Sequence, residues 1–135
     1  MISRPVFCFF PPIIMNTERT PPVQCHLWKK DKLVFDDLIW DKFDHIRTFV
    51  DTSHYSTDIL RCKECGQLYY FEWYEHIDWL HGNDPQHWTF IPIDSEEAAE
   101  DMLNKLPIEL LQINPRLQYD WPHKEGRPEV RWIGK

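Results

Sequence analysis

The stretch that decides the fold is ILRCKECGQLYYFEWYE, residues 59–75. Two apolar residues lead into a Cys-x-x-Cys-Gly turn, and a run rich in tyrosine, phenylalanine and tryptophan leads out of it. Aromatic residues favour the pleated surface of a strand, and glycine lets the backbone turn tightly between two strands. We therefore predict a β-hairpin with the two cysteines at its tip.

The outgoing strand alternates with a period of two, which assigns its side chains to two faces. One face carries Tyr69, Phe71, Trp73, Ile77 and Trp79, and we expect this face to be buried. The opposite face combines aromatic and acidic side chains, and we expect it to face solvent or a partner. Its members are Leu68, Tyr70, Glu72, Tyr74, His76 and Asp78.

Further strands are predicted on either side of this hairpin. The turn at residues 82–85 leads into HWTFIPI, residues 87–93, where Pro92 indicates an edge strand or the end of a strand. Near the C-terminus apolar and polar residues alternate again, with Val130 and Trp132 on one face, which indicates a last strand. Residues 33–49 are compatible with either a short helix or strands broken by acidic turns, and the sequence does not decide between them.

The clearest helix begins after Asp94, which can cap it, with Glu97 three residues on. Its apolar stripe is Ala98, Ala99, Met102, Leu103 and Leu106. Pro107 ends this helix and can open a second, short one that closes before Pro115. The predicted class is α+β: a small antiparallel sheet that includes the CxxC-tipped hairpin, with one or two helices packed on it.

The chain of 135 residues is long enough for one hydrophobic core. Residues 1–22 hold five of the eleven prolines, so we predict an irregular N-terminal arm at 1–22 and a single α+β domain at 23–135. The apolar run at residues 5–15 is split by two prolines and is too short to span a membrane. Met15 precedes a more ordinary polar beginning, so translation can start at Met1 or Met15.

The charge balance argues against a nucleic-acid partner. Lys and Arg number 15 against 22 Asp and Glu, which gives a net charge of −7, and clustered cations are needed to neutralise phosphates. An acidic protein instead attracts a basic partner, although the same charge can serve solubility alone. Aromatic residues make up 15% of the chain, seven of them tryptophans, an excess that suits a core or a binding surface.

The CxxC motif has three competing interpretations: a structural zinc site, a pair of passive reduced thiols, or a redox-active dithiol. Redox activity fits least well, because reactive CxxC motifs sit at helix N-termini and this one precedes a strand. A structural zinc site takes four ligands. The chain offers two further ligands for Cys62 and Cys65: Cys25, which has His26 beside it, and His54. Together they form a Cys₃His set for one structural Zn²⁺. Cysteines used in this way predict a reducing, cytoplasmic location.

A second group of residues lies between positions 70 and 88. Its aromatic and acidic members form a candidate surface for binding a protein: Tyr70, Glu72, Tyr74, Glu75, Asp78, Trp79, Asp84 and Trp88. An ordinary solvated face is the alternative. An overlapping group of carboxylates and histidines could serve a small metal-dependent hydrolase, but it matches no spacing with a known mechanism. That group is Glu72, Glu75, His76, Asp78, His81, Asp84 and His87.

Several short runs carry a resemblance: residues 51–55 (DTSHY), 60–69 (LRCKECGQLY), 75–79 (EHIDW) and 82–85 (GNDP). Together they resemble a group of small bacterial proteins of unassigned function, which in size and acidity are similar to the immunity proteins that neutralise polymorphic toxins. The resemblance implies a non-enzymatic inhibitor that masks the active site of a toxin. We therefore predict a protein that binds a cationic toxin domain and neither nucleic acid nor membrane. A zinc-stabilised accessory module is the alternative, and the hydrolase is a third.

Overall fold

The computed structural model describes residues 18–82, 84–121 and 130–135. Within these ranges six strands form one sheet in the order β1-β2-β3-β4-β5-β6, and every neighbouring pair is antiparallel. The strands are β1 Phe43–Asp51, β2 Tyr55–Cys62, β3 Leu68–Glu75, β4 Gln86–Ile93, β5 Arg116–Trp121 and β6 Val130–Ile133. The helices are α1 His26–Lys29, α2 Ala98–Leu103 and α3 Pro107–Leu110. An antiparallel sheet with short helices confirms the predicted α+β class.

One face of the sheet is covered by the N-terminal segment, residues 18–42. It brings Leu27, Leu33 and Leu38 onto the aromatic side chains of the central strands, where Phe43 stacks on Phe90 with ring centres 5.6 Å apart. The indole Nε1 of Trp132 donates to the Leu27 carbonyl at 2.8 Å and ties the segment to β6. This face therefore carries an almost wholly aromatic and aliphatic core.

The other face lies under α2 and α3, and apolar residues occupy one half of it. There the core consists of Ile59, Tyr70, Ile91, Ile93, Ala99, Met102, Leu110 and Ile113. The other half of this face carries polar residues in two cross-strand rows. Thr57, Glu72, Thr89 and Gln118 form one row, and Tyr55, Tyr74, His87 and Asp120 form the next.

The two-sided cover corrects the prediction that one face of β3 is open. Tyr70 and Glu72 are only 1% and 3% exposed, because α2 and α3 lie over the face that we expected to meet solvent. Trp79 was expected on the buried face, yet it is 90% exposed. The alternation ends with β3 at Glu75, so the parity of later residues no longer reports their burial.

Both predicted helices form, with different boundaries. Helix α2 begins at Ala98, whose amide donates to Ser95 Oγ at 3.4 Å; its N-cap residue is Glu97 and not Asp94, which corrects the predicted cap. Leu106 lies beyond the end of α2 and is 64% exposed, which removes it from the predicted buried stripe. Pro107 opens α3, as predicted.

The segment that the sequence left open, residues 33–49, forms two 3₁₀ turns and then β1. The turns are Phe35–Leu38 and Trp40–Lys42. Strand β5 was not predicted at all. In β4, Pro92 lies past Phe90, the last residue paired with β5, so the strand-end interpretation of this proline is the correct one.

Most of the predicted N-terminal arm, residues 1–17, lies outside the described residues. Glu18 forms a bridge with Asn114, and the Arg19 amide donates to the Asn114 carbonyl at 2.7 Å. Among the residues that the structure describes, no helix is both long and apolar enough to cross a membrane.

Candidate functional site

Three cysteines from distant parts of the chain meet at one end of the sheet. Cys25 immediately precedes α1, Cys62 ends β2, and Cys65 lies in the connection from β2 to β3. Their sulfur atoms all lie within 4.8 Å of one another. Zinc–sulfur bonds of about 2.3 Å in a tetrahedron place two sulfurs about 3.8 Å apart, so a small contraction would bring these sulfurs to a zinc ion.

The local backbone is arranged to present these sulfurs. Gly66 has a φ of 81°, a left-handed conformation that suits glycine, and its amide donates to the Cys62 carbonyl at 2.8 Å. The turn directs the backbone amides of Glu64 and Cys65 at the sulfur of Cys62. The predicted grouping of Cys25 with Cys62 and Cys65 is confirmed.

Cys25 is surrounded in a similar way. The buried hydroxyl of Tyr69 donates to its sulfur at 3.1 Å, and the amide of Leu27 also bonds to it. Hydrogen bonds to sulfur stabilise the thiolate form that a metal ion requires. Two of the three sulfurs are therefore already supplied with the donors that a metal thiolate centre uses.

The same thiols are poorly suited to redox chemistry or nucleophilic attack. Burial raises the pKa of Cys25 to about 12, and burial also raises the pKa of Cys62. An activated cysteine shows the opposite shift, because the thiolate is the reactive form. This environment favours a metal site or passive thiols over a redox-active dithiol.

His54 does not belong to this cluster, which corrects the predicted ligand set. It precedes β2, whereas Cys62 ends that strand, and the eight residues of the strand span roughly 25 Å. Its Nδ1 instead lies 3.0 Å from Oε1 of Glu75. The prediction failed because nearness in sequence says nothing about which end of a strand a residue occupies.

His26 is the histidine that lies beside the cysteines. Its Nδ1 is 3.7 Å from Sγ of Cys62 and 3.3 Å from Oε2 of Glu64. In a tetrahedral zinc site a nitrogen and a sulfur ligand are about 3.5 Å apart. Cys65 is half-buried and lines a cavity of about 250 Å³.

The predicted protein-binding surface is divided by the fold. Tyr70 and Glu72 lie in the interior, and Trp88 is half-buried on the opposite face, where its ring packs on Phe35 with centres 5.1 Å apart. Tyr74 is half-buried in the polar half of the sheet, and the carboxylate of Glu75 is paired with His54. These residues do not form one continuous surface.

The remaining members lie in the β3–β4 connection. The carboxylate of Asp84 accepts from the Asp78 amide at 2.9 Å, and that of Asp78 accepts from the amides of Leu80 and His81. These bonds hold the loop in a fixed turn that presents Trp79 and Leu80, which are 90% and 88% exposed.

The carboxylates and histidines expected to form a hydrolase site also lie in different parts of the fold. Of that group, Glu72 and His87 line one cavity, whereas His76, Asp78 and His81 lie in or next to the loop. The sequence analysis missed a partner of His87: Asp120 of β5, whose Oδ1 is 2.9 Å from Nδ1 of His87. The alternation of Leu117, Tyr119 and Trp121 was a signal for the strand that carries it.

Comparison with known proteins adds no assignment. No family model matches the chain, and neither a curated protein nor a solved structure matches it.

Proposed function

We propose that this protein is a non-catalytic protein-binding module held together by one structural Zn²⁺, with Cys25, Cys62, Cys65 and His26 as its ligands. The observation that carries the proposal is the convergence of three sulfurs within 4.8 Å, two of them bonded by amide or hydroxyl donors. Three thiolates and one imidazole form a closed set, which is typical of structural rather than catalytic zinc. The module works in a reducing cytoplasm, where thiols remain available to a metal.

Zinc has a definite structural task in this proposal. It joins the start of α1 to the connection between β2 and β3, so it fixes the N-terminal segment on the aromatic face of the sheet. Cys25 and Cys62 are far apart in the chain, and a link that closes a long loop removes much of the conformational entropy of the unfolded state.

Metal analysis of purified protein tests the site. We expect about one zinc per chain, and cobalt substitution should give the intense visible bands of a tetrahedral thiolate site. Cys62→Ser should lower zinc content at least tenfold, and His26→Ala should weaken binding while retaining the sulfur-to-cobalt charge-transfer band. His54→Ala is the matched control and should leave metal content unchanged. Full-length protein without zinc, with a stability unaltered by zinc addition, would overturn the proposal.

The partner in this proposal is a cationic protein, as expected of an immunity-type inhibitor that masks a toxin. Two observations support this choice: the net charge of −7, and the loop that holds Trp79 and Leu80 in solvent between Asp78 and Asp84. Exposed aromatic side chains on a fixed loop are effective anchors in protein interfaces, because little conformational freedom is lost on binding.

Copurification from the source cells tests the partner. We expect one basic protein to be retained at moderate salt by the wild-type chain. Trp79→Ala together with Leu80→Ala should release it, while Val23→Ala, which truncates another exposed apolar side chain, should not. A partner that is retained equally by all variants would exclude the loop as its binding site.

A further inference from the structure

The outer side of α2 and α3 exposes a group of aliphatic side chains. On the inner side of the same helices, Met102 and Leu110 are buried against the sheet. Single exposed apolar residues are ordinary on a protein surface, whereas several of them within one short segment mark a site of interaction. The group, called here the α2–α3 surface, consists of Leu103, Leu106, Ile108 and Leu111, which are 37%, 64%, 67% and 37% exposed.

A cavity of about 170 Å³ lies beside this surface, between α3 and the strands β3 and β4. Its surface is almost entirely apolar, and Pro107, Ile108 and Leu111 form the side that belongs to the helix. At roughly 30 Å³ for each water-sized group the cavity holds five or six non-hydrogen atoms, which is enough for the four carbons of a leucine or isoleucine side chain. Such a cavity accepts an aliphatic side chain and rejects a charged one, because an unpaired charge there would lose its hydration.

Carboxylates surround the exposed aliphatic residues. Glu100 lies three residues before Leu103, on the same side of α2, and Oε1 of Glu109 accepts from the Leu106 amide at 2.7 Å. Within residues 94–111 Lys105 is the only cation, and none of the acidic side chains forms an ion pair with a lysine or arginine of the described residues. These acidic residues are Asp94, Glu96, Glu97, Glu100, Asp101 and Glu109.

This distribution of charge selects the kind of molecule that can cover the surface. Basic residues on either side of an apolar anchor would meet the unpaired carboxylates, whereas an acidic protein or an anionic membrane would be repelled by them. A cationic polypeptide segment with one apolar face is therefore complementary in both charge and polarity.

We propose that the α2–α3 surface binds a cationic amphipathic helix of a partner protein, which places a leucine-sized side chain in the cavity and lysine or arginine side chains opposite the carboxylates. Helices of this kind present apolar anchors at spacings of three and four residues to an apolar groove. The buried anchor supplies most of the affinity, and the charges direct the approach. The inference rests on the proposed function, since it gives the same cationic partner a second contact and names the chemistry of the segment that makes it.

Titration of the ¹⁵N-labelled full chain with the synthetic peptide KLLKKLLKLLKKLLK tests the proposal. The leucines of this peptide lie on one face of a helix, whereas LKLKLKLKLKLKLKL has the same composition with leucines on all sides of a helix. We expect saturable binding of the first peptide, with shifts in the amide signals of residues 74, 87, 108 and 111. The second peptide should bind at least tenfold more weakly.

Substitutions on the α2–α3 surface test its apolar part. Leu106→Ser together with Ile108→Ser should weaken binding of the first peptide at least tenfold, and the spectrum should remain that of the folded chain because both side chains are exposed. The matched control is Val23→Ser together with Val34→Ser, which removes two exposed aliphatic side chains from the N-terminal segment and should bind as the wild type does.

The carboxylates are tested by a second pair of variants. Glu100→Gln together with Asp101→Asn should weaken binding of the first peptide at least threefold at low salt, and the difference should shrink as added salt screens the charges. Asp36→Asn together with Asp51→Asn removes the same charge from exposed positions elsewhere and should leave the affinity unchanged.

Equal binding of the two peptides, or an unchanged affinity in Leu106→Ser with Ile108→Ser, would overturn the proposal. If the peptide is instead lost from the variant with Trp79→Ala and Leu80→Ala, the inference fails while the proposed loop contact stands. Two other occupants would also overturn it. A dimer in sedimentation that the Leu106 and Ile108 substitutions convert to a monomer would identify a second copy, and peptide binding that requires Phe9→Asp and Phe10→Asp would identify the N-terminal residues of the chain itself.

Discussion

At the scale of single residues, Glu72 is the most consequential side chain of the sheet. Burial raises the pKa of its carboxyl group, although the bond from Tyr55 and the proximity of His87 oppose the shift. The folded protein therefore holds this proton more tightly than the unfolded chain does. The resulting contribution to stability is present below the ordinary pKa of a glutamic acid, about 4.3, and is lost as the pH rises through the folded-state value.

This linkage predicts the behaviour of Glu72→Gln. The amide cannot ionise and can still accept from Tyr55, so the variant should be more stable than the wild type at pH 7. The difference should shrink as the pH falls towards 4, where the wild-type carboxyl group is also neutral. Urea denaturation midpoints across this pH range measure it, and a difference that is constant or that grows at low pH would contradict the assignment.

Tyr69 gives a second prediction at this scale, because its hydroxyl donates to the sulfur of Cys25 in the proposed zinc site. Partners that support a ligand in this way typically change metal affinity by about 10–100-fold when removed. We therefore expect Tyr69→Phe to weaken zinc binding about tenfold, as measured by competition with a chromophoric chelator. Tyr55→Phe removes a hydroxyl from the opposite end of the sheet and should leave zinc affinity unchanged.

At the scale of secondary structure, alternation located the strand β3 but could not tell how many of its faces would be covered. The residues on the second face, Tyr70 and Glu72, include a charge, and charges ordinarily indicate solvent. Here a later segment, α2 and α3, returns to cover them, and that contact depends on residues more than twenty positions away. The sequence pattern within one strand does not show whether a later segment of the chain will pack on its second face.

The candidate metal site shows the same limit. CxxC followed by glycine identified Cys62 and Cys65, since their geometry is set within one turn. The position of His26 beside the cysteines depends instead on the packing of α1 against the sheet, whereas His54 lies at the other end of β2. Local chemistry was therefore predictable, and the partners supplied by the fold were not.

Helix α2 provides a prediction about packing. Met102 is 1% exposed and lies in the core cluster shared with Tyr70 and Ile91, while its neighbour Leu103 is 37% exposed. Truncation of a buried side chain costs transfer free energy and leaves a cavity. We expect Met102→Ala to lower the free energy of unfolding by about 2–5 kcal/mol and Leu103→Ala by much less, in urea denaturation. Similar losses for both would mean that α2 packs differently.

At the scale of the whole molecule, the two faces of the sheet are covered by different segments of the chain. Its aromatic face is closed by the N-terminal segment, which the cysteine cluster links to the β2–β3 connection. On its other face one polar row is buried and the next is half-buried, while the β3–β4 loop exposes Trp79 and Leu80. The cysteine cluster and the β3–β4 loop lie at opposite ends of β3, so the proposed metal site and the proposed partner site can be tested independently.

Removal of zinc should therefore loosen one part of the fold before the rest. The N-terminal segment is held by the cysteine cluster, by the bond from Trp132 to Leu27 and by the ring contact of Trp28 with Trp132, whose centres are 4.9 Å apart. The central strands β3 and β4 are paired on both sides and do not need the metal. With a chelator present, hydrogen exchange should accelerate at residues 25–30 and 62–67 far more than in β3 and β4. A uniform acceleration would mean that zinc supports the whole core rather than one segment, and no change would mean that the thiols are passive.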